Sequence, residues 1–125
     1  AAELEHMYRL KTGCLLKVSV LSAAYCDGVD HPQLQSLERF IDSVGLAFQI
    51  KDDILDIEGD TAVIGKQQGA DIERHKATWP ALFGLEQARA KTEELLDVAL
   101  GEISHLGPDA EPIRQVARYI VDRNM

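Results

Sequence analysis

Apolar residues recur at helical spacing from about Glu3 to Tyr25, with Leu4, Met7, Leu10, Leu15, Val18 and Leu21 among them. That period predicts a first helix. Gly13 inside it costs about 1 kcal/mol relative to alanine, which points to close packing or to a ligand approaching the backbone. Asp27-Gly28-Val29-Asp30-His31-Pro32 then interrupts the pattern with strong turn chemistry, and Pro32 suits the first turn of a following helix. A second helix is expected from about Gln33 to Glu58, burying Leu34, Leu37, Ile41, Val44, Phe48 and Leu55, with Gly59 ending it. Residues 59–78 hold three glycines and no sustained period, and so predict a long connection of a kind that usually serves a function. Pro80 restarts the chain into a third helix to about His105. Gly107-Pro108 breaks it, and a short final helix ends at Tyr119-Ile120-Val121-Asp122-Arg123. Helices joined by turns, without strand pattern or repeat, make this an all-α domain, a helical bundle.

Inside the second helix, Phe48-Gln49-Ile50-Lys51-Asp52-Asp53-Ile54-Leu55-Asp56 places three carboxylates within five residues. Asp52 and Asp56 stand four apart, one turn along the same face, and Gln49 joins that face three residues earlier. Like charges at this spacing repel and mildly destabilise a helix. A divalent cation turns the repulsion into affinity. Mg²⁺ prefers carboxylate oxygens and usually keeps waters and substrate phosphates as its other ligands. A solvated helix face fits the same triplet. Two features favour the metal: apolar Ile54 and Leu55 make the segment partly buried, and a long loop follows it.

That loop carries Gly65-Lys66-Gln67-Gln68-Gly69-Ala70-Asp71 and then Lys76. Glycines let backbone N–H groups approach a phosphate, and Lys66 and Lys76 supply positive charge. It is not a P-loop: five residues separate Gly59 and Gly65 where four are needed, and Gln67 stands where Ser or Thr should be. Nor does Asp56 to Asp60 have the residue order of a calcium-binding EF-hand. Lys11-Thr12-Gly13 puts a cation, a hydroxyl and a site of close approach in consecutive positions. His6, His31, His75 and His105 show no paired metal-ligand spacing, and Trp79 and the tyrosines read as packing residues.

Composition narrows the function. The net charge of −8, without a basic cluster, argues against nucleic acid or an anionic membrane surface as partner. No apolar run approaches the roughly 18 residues of a membrane span, and the first residues lack the pattern of a signal peptide. A cytoplasmic address is expected. Cys14 and Cys26, 12 residues apart, would lie about 18 Å from each other along one helix. That is too far for a disulfide, and both are expected to be buried thiols in a reducing compartment.

Taken together, Lys11-Thr12-Gly13, Phe48-Gln49-x-x-Asp52-Asp53-x-x-Asp56, Gly65-Lys66-x-x-Gly69-x-Asp71 and Lys76-x-Thr78-x-Pro80 stand in the order and spacing of the trans-isoprenyl diphosphate synthases. From about Glu3 onwards the chain resembles the C-terminal part of a short-chain bacterial member, one whose product is farnesyl or geranyl diphosphate. The resemblance implies an all-α bundle of the class I terpenoid synthase type, around a cavity with two facing aspartate-rich motifs. It implies Mg²⁺ and two substrates, an allylic diphosphate and isopentenyl diphosphate. The allylic diphosphate ionises and the double bond of isopentenyl diphosphate attacks the carbocation, lengthening the chain by five carbons. Asp52 would be the principal Mg²⁺ ligand, assisted by Asp53 and Asp56. Lys11, Lys66 and Lys76 would bind the allylic diphosphate, Thr12 and Gln49 would turn oxygen dipoles to the carbocation, and Asp71 would orient Lys66. The family's first aspartate-rich motif does not occur in these 125 residues. They are therefore expected to be a portion of a longer enzyme, inactive alone, with apolar faces that favour a homodimer or self-association. A non-catalytic binding or dimerisation module of the same fold is the competing expectation. A terpene cyclase or squalene-type synthase is disfavoured by the Gly-Lys-x-x-Gly-x-Asp loop.

Overall fold

The computed structural model describes residues 1–63 and 77–124. The chain begins as one continuous rod: α1 (Ala2–Tyr8), a π-helical turn (Arg9–Gly13) and α2 (Cys14–Cys26). A π turn takes up an extra residue and so rotates the side chains that follow it. The buried stripe accordingly runs in steps of four, through Leu4 and Tyr8 and then Leu16, Val20 and Ala24. Of the stripe expected from the period, Leu4 is buried and Leu21 packs against the core, but the middle of it is not. Met7, Leu10, Leu15 and Val18 are exposed, at 42 to 69%. Cys14 and Cys26 are free and exposed too, which corrects the expectation that they are buried. They stand on sides of α2 that no other described element covers.

Local chemistry accounts for the first break. Gly28 takes a φ of 75°, the left-handed region that favours glycine. The Gly28 N–H donates to the Tyr25 carbonyl and the Val29 N–H to the Ala24 carbonyl, at 3.2 and 3.1 Å. This is a Schellman ending. The Asp30 carboxylate then accepts the Gln33 N–H at 3.0 Å, capping the next helix.

That helix, α3 (His31–Val63), is 33 residues long and, at 1.5 Å per residue, spans about 50 Å. It is the axis of the fold and packs against every other helix. Leu37, Phe40, Ile41, Val44 and Ala47 are buried as its period requires, and Ile50 and Ile54 are completely enclosed. Phe48 and Leu55 are only half-buried, because that side turns towards the acidic site. Gly59 does not end the helix. An exposed helical glycine costs only about 1 kcal/mol, and the Glu58–Arg89 ion pair ties this last part of α3 to the helix opposite. The π turn and α3 approach with their backbones nearly in contact: a Cβ on Gly45 would stand 3.5 Å from the Gly13 Cα. The close packing expected at Gly13 is present.

The expected third helix is two. A short α4 (Trp79–Phe83) is capped by the Thr78 hydroxyl, which accepts the Ala81 N–H at 3.2 Å. Gly84, at a φ of 88°, then separates it from α5 (Leu85–Glu102). Ala88, Thr92, Leu95, Leu96 and Ala99 are buried on α5. The two alanines, fully enclosed, let α5 lie close along α3. A 3₁₀ turn (Ser104–Leu106) takes the place of the predicted helix end at His105, and Gly107, at a φ of 76°, turns the chain. The last helix, α6 (Glu111–Asp122), buries Ala117 and Val121 and leaves Val116 and Tyr119 exposed. Among the described residues there is no strand, and none of the helices is long and apolar enough to cross a membrane.

Arg114 locks α6 to the end of α5. Its guanidinium donates to the Gly107 carbonyl at 2.8 Å and to the Ile103 carbonyl at 3.0 Å. Arg114→Met keeps most of the stem and removes these donors. We predict a loss of about 1–3 kcal/mol, the cost of leaving part-buried acceptors unsatisfied, measured by urea denaturation. A change within 0.5 kcal/mol, as for an ordinary surface substitution, would show that the two carbonyls are hydrated.

Candidate metal and diphosphate site

Two rods form the described part of the site. The π turn supplies Lys11 and Thr12, and the middle of α3 supplies Gln49, Asp52, Asp53 and Asp56. Close approach at Gly13 and Gly45 sets them side by side. Lys11 is near enough for its charge to act on Asp53. Thr12 is half-buried, and Gln49, 3% exposed, is a polar residue in the core. Lys66, Asp71 and Lys76 lie outside the described residues.

Adjacent positions on a helix point about 100° apart, and the first two aspartates of the triplet diverge accordingly. Asp52 turns to α6, where Arg123 donates to its Oδ1 at 3.5 Å. The Arg123 guanidinium also stands 4.8 Å from the centre of the Phe48 ring and donates to the Ile120 carbonyl at 3.2 Å. Asp53 turns instead to α1, where the Tyr8 hydroxyl donates to its Oδ2. The same Tyr8 oxygen accepts the Trp79 N–H at 3.0 Å. Asp56 is exposed. Tyr8 and Arg123 are the functional candidates that sequence reasoning missed, one taken for packing and the other for a helix end. Tyr8 stands three residues before Lys11, immediately ahead of the π turn. That spacing was the available signal.

Electrostatics shift the Asp53 carboxyl upward. Burial raises its pKa, helped by the negative charges of Asp56 and Asp52, while the Tyr8 hydrogen bond and Lys11 act in the opposite direction. Burial, together with the hydrogen bond to Asp53 and the charge on that carboxylate, pushes the Tyr8 phenol far above its ordinary range. It therefore stays a neutral donor. Lys51, between the acidic positions and α6, is shifted down by burial and then by the neighbouring Arg123 and Arg89.

Among the described residues no three His, Cys, Asp or Glu side chains gather into a cage that would hold a metal ion by itself. The donor chemistry nonetheless fits Mg²⁺. The ion is commonly held by one or two carboxylates, with waters and substrate phosphates completing its shell. The mutual repulsion felt by Asp53 is the feature a cation would relieve.

The chain is similar to known proteins along nearly all of its length. The family model described as polyprenyl synthetase matches residues 1–117. The farnesyl diphosphate synthase of Escherichia coli (strain K12) is 44% identical, over 97% of this chain and 42% of its own length. That of Haemophilus influenzae is 43% identical, over 98% of this chain and 42% of its own. A crystal structure from Marinomonas sp. MED121, bearing a provisional farnesyl-diphosphate synthase assignment, superposes with a TM-score of 0.79 at 38% identity, over 97% of this chain and 40% of that one. The chain thus spans about two-fifths of the length of the relatives it matches. With a family match over nearly all of its residues and the same all-α fold, the chain belongs to the polyprenyl synthetase family.

Proposed function

We propose that this chain is the C-terminal part of a prenyltransferase that condenses an allylic diphosphate with isopentenyl diphosphate, forming a short-chain isoprenyl diphosphate such as farnesyl diphosphate and releasing diphosphate. The observation that carries the reading is the pairing of the Lys11 turn with the acidic segment of α3. A phosphate-binding cation and cation-binding carboxylates stand together on two tightly packed rods. Asp52 and Asp56 would hold Mg²⁺ with Asp53 in support. Bound there, the ion would supply positive charge to the departing diphosphate, electrostatic catalysis in a site shielded from water. Lys11 would bind the same diphosphate. Thr12 and Gln49 would face the allylic carbon skeleton, where their oxygen dipoles favour developing positive charge.

The exposed apolar side chains of α1, α2 and α6 support the reading that this portion packs within a larger bundle, and a homodimer of the whole enzyme fits the same faces. Two free cysteines suit a reducing, cytoplasmic setting. Calorimetric titration of inorganic diphosphate into the 125-residue chain, with and without Mg²⁺, tests the site. Saturable binding that requires Mg²⁺ is expected. Equal binding without the ion would refute the metal assignment.

A further inference from the structure

We propose that Tyr8 is a positioning residue for this site: its hydroxyl, anchored by the Trp79 amide, fixes the orientation in which Asp53 meets a Mg²⁺–diphosphate complex. The inference rests on the prenyltransferase reading and deepens it.

Tyr8 is 3% exposed, so its hydroxyl is dry and must find partners within the protein. It has two, the Trp79 amide and the Asp53 carboxylate, and the direction of each bond follows from chemistry. A backbone N–H only donates, so the phenol oxygen accepts at Trp79. The one phenolic proton is then committed to Asp53 Oδ2. Phenylalanine would fill the same space without either bond. The hydroxyl joins residues 45 and 71 positions away in sequence, and so ties α1, α3 and the start of α4 at one atom. Lys11 acts on the same carboxylate from the next turn of the rod. Asp53 is thereby held by the Tyr8 hydrogen bond and lies within the field of the Lys11 charge. Groups that orient a metal's carboxylates through hydrogen bonds typically change metal affinity 10–100-fold when removed.

The test is Tyr8→Phe in the 125-residue chain. The Mg²⁺ concentration giving half-maximal diphosphate binding should rise roughly tenfold or more, with saturating Mg²⁺ restoring binding. A purely structural loss would lower binding at every Mg²⁺ concentration. Tyr8→Phe combined with Asp53→Ala should do no more than Asp53→Ala alone, the non-additivity of two groups acting through one bond. An unchanged Mg²⁺ midpoint, or additive losses, overturns the proposal. Amide exchange at Trp79, read by NMR, needs no ligand. It should be slow in the native chain and faster in both Tyr8→Phe and Asp53→Ala, because Asp53 holds the phenol that holds the amide. Exchange at Trp79 as slow in Asp53→Ala as in the native chain overturns the proposal as well. If the native chain binds no diphosphate while the exchange pattern holds, the prenyltransferase site fails and the Tyr8 anchor stands.

Discussion

Asp52→Ala is expected to abolish Mg²⁺-dependent diphosphate binding, at least a hundredfold in affinity, while changing the stability of the chain by less than about 1 kcal/mol. The first half follows from its place in the acidic segment. Asp52 is the first of the triplet and shares a helix face with Gln49 and Asp56. Removing it takes away both a hard oxygen donor and the charge that offsets the cation. The second half follows from its surroundings. The Asp52 side chain is 51% exposed, and its one ion pair among the described residues, with Arg123, is long at 3.5 Å. Such pairs contribute little, commonly 0.2–1 kcal/mol. Arg123 keeps its contact with Phe48 and its bond to the Ile120 carbonyl. Loss of the pair is also partly offset by relief of repulsion within the acidic segment. Calorimetry with diphosphate and a urea melt of the same preparation decide the matter. A variant that unfolds would make Asp52 a structural residue, and one that still binds through Mg²⁺ would remove it from the site.

Ile54→Ala should have the opposite profile, with a loss of about 2–5 kcal/mol in folding stability. Ile54 is fully enclosed, next to Asp53 in sequence and on the core side of the same turn. Alanine there leaves a cavity between α3 and its neighbours, and a packed interior closes it only in part. Ile54→Val deletes one methylene and should cost about 0.5–1.5 kcal/mol. Both losses are measurable as shifts of the urea midpoint at constant slope. A loss below 1 kcal/mol for the alanine variant would mean that Ile50 and the surrounding residues collapse into the space. The acidic turn would then be less rigidly anchored than the enclosure of Ile50 and Ile54 implies.

The helices and most of their ends were legible in the residues because the physics that makes them is local. Asp27-Gly28 and Gly107-Pro108 end helices through φ values that glycine adopts freely, and Asp30 starts one by bonding a backbone N–H three residues on. The acidic segment and the Lys11 turn were legible for the same reason: unfavourable charge placed on an apolar helix is visible in a few consecutive positions. Gly59 and Gly84 show where local reading stops. Each is a glycine after an apolar-periodic stretch, yet α3 continues through Gly59 while Gly84 divides α4 from α5. Tertiary packing decided between two options of similar local cost.

Packing also decided which side of α1 and α2 is buried. The π turn rotates the later residues, so Leu16, Val20 and Ala24 face the core in place of Leu15 and Val18. Only the assembled bundle could send Asp52 to Arg123, Asp53 to Tyr8 and the Tyr8 oxygen to the Trp79 amide, contacts that span 71, 45 and 71 positions of chain. A period records how far apart side chains stand along a helix. Which neighbour each one meets depends on how whole helices cross, and that is set by the sum of many weak contacts over the entire core.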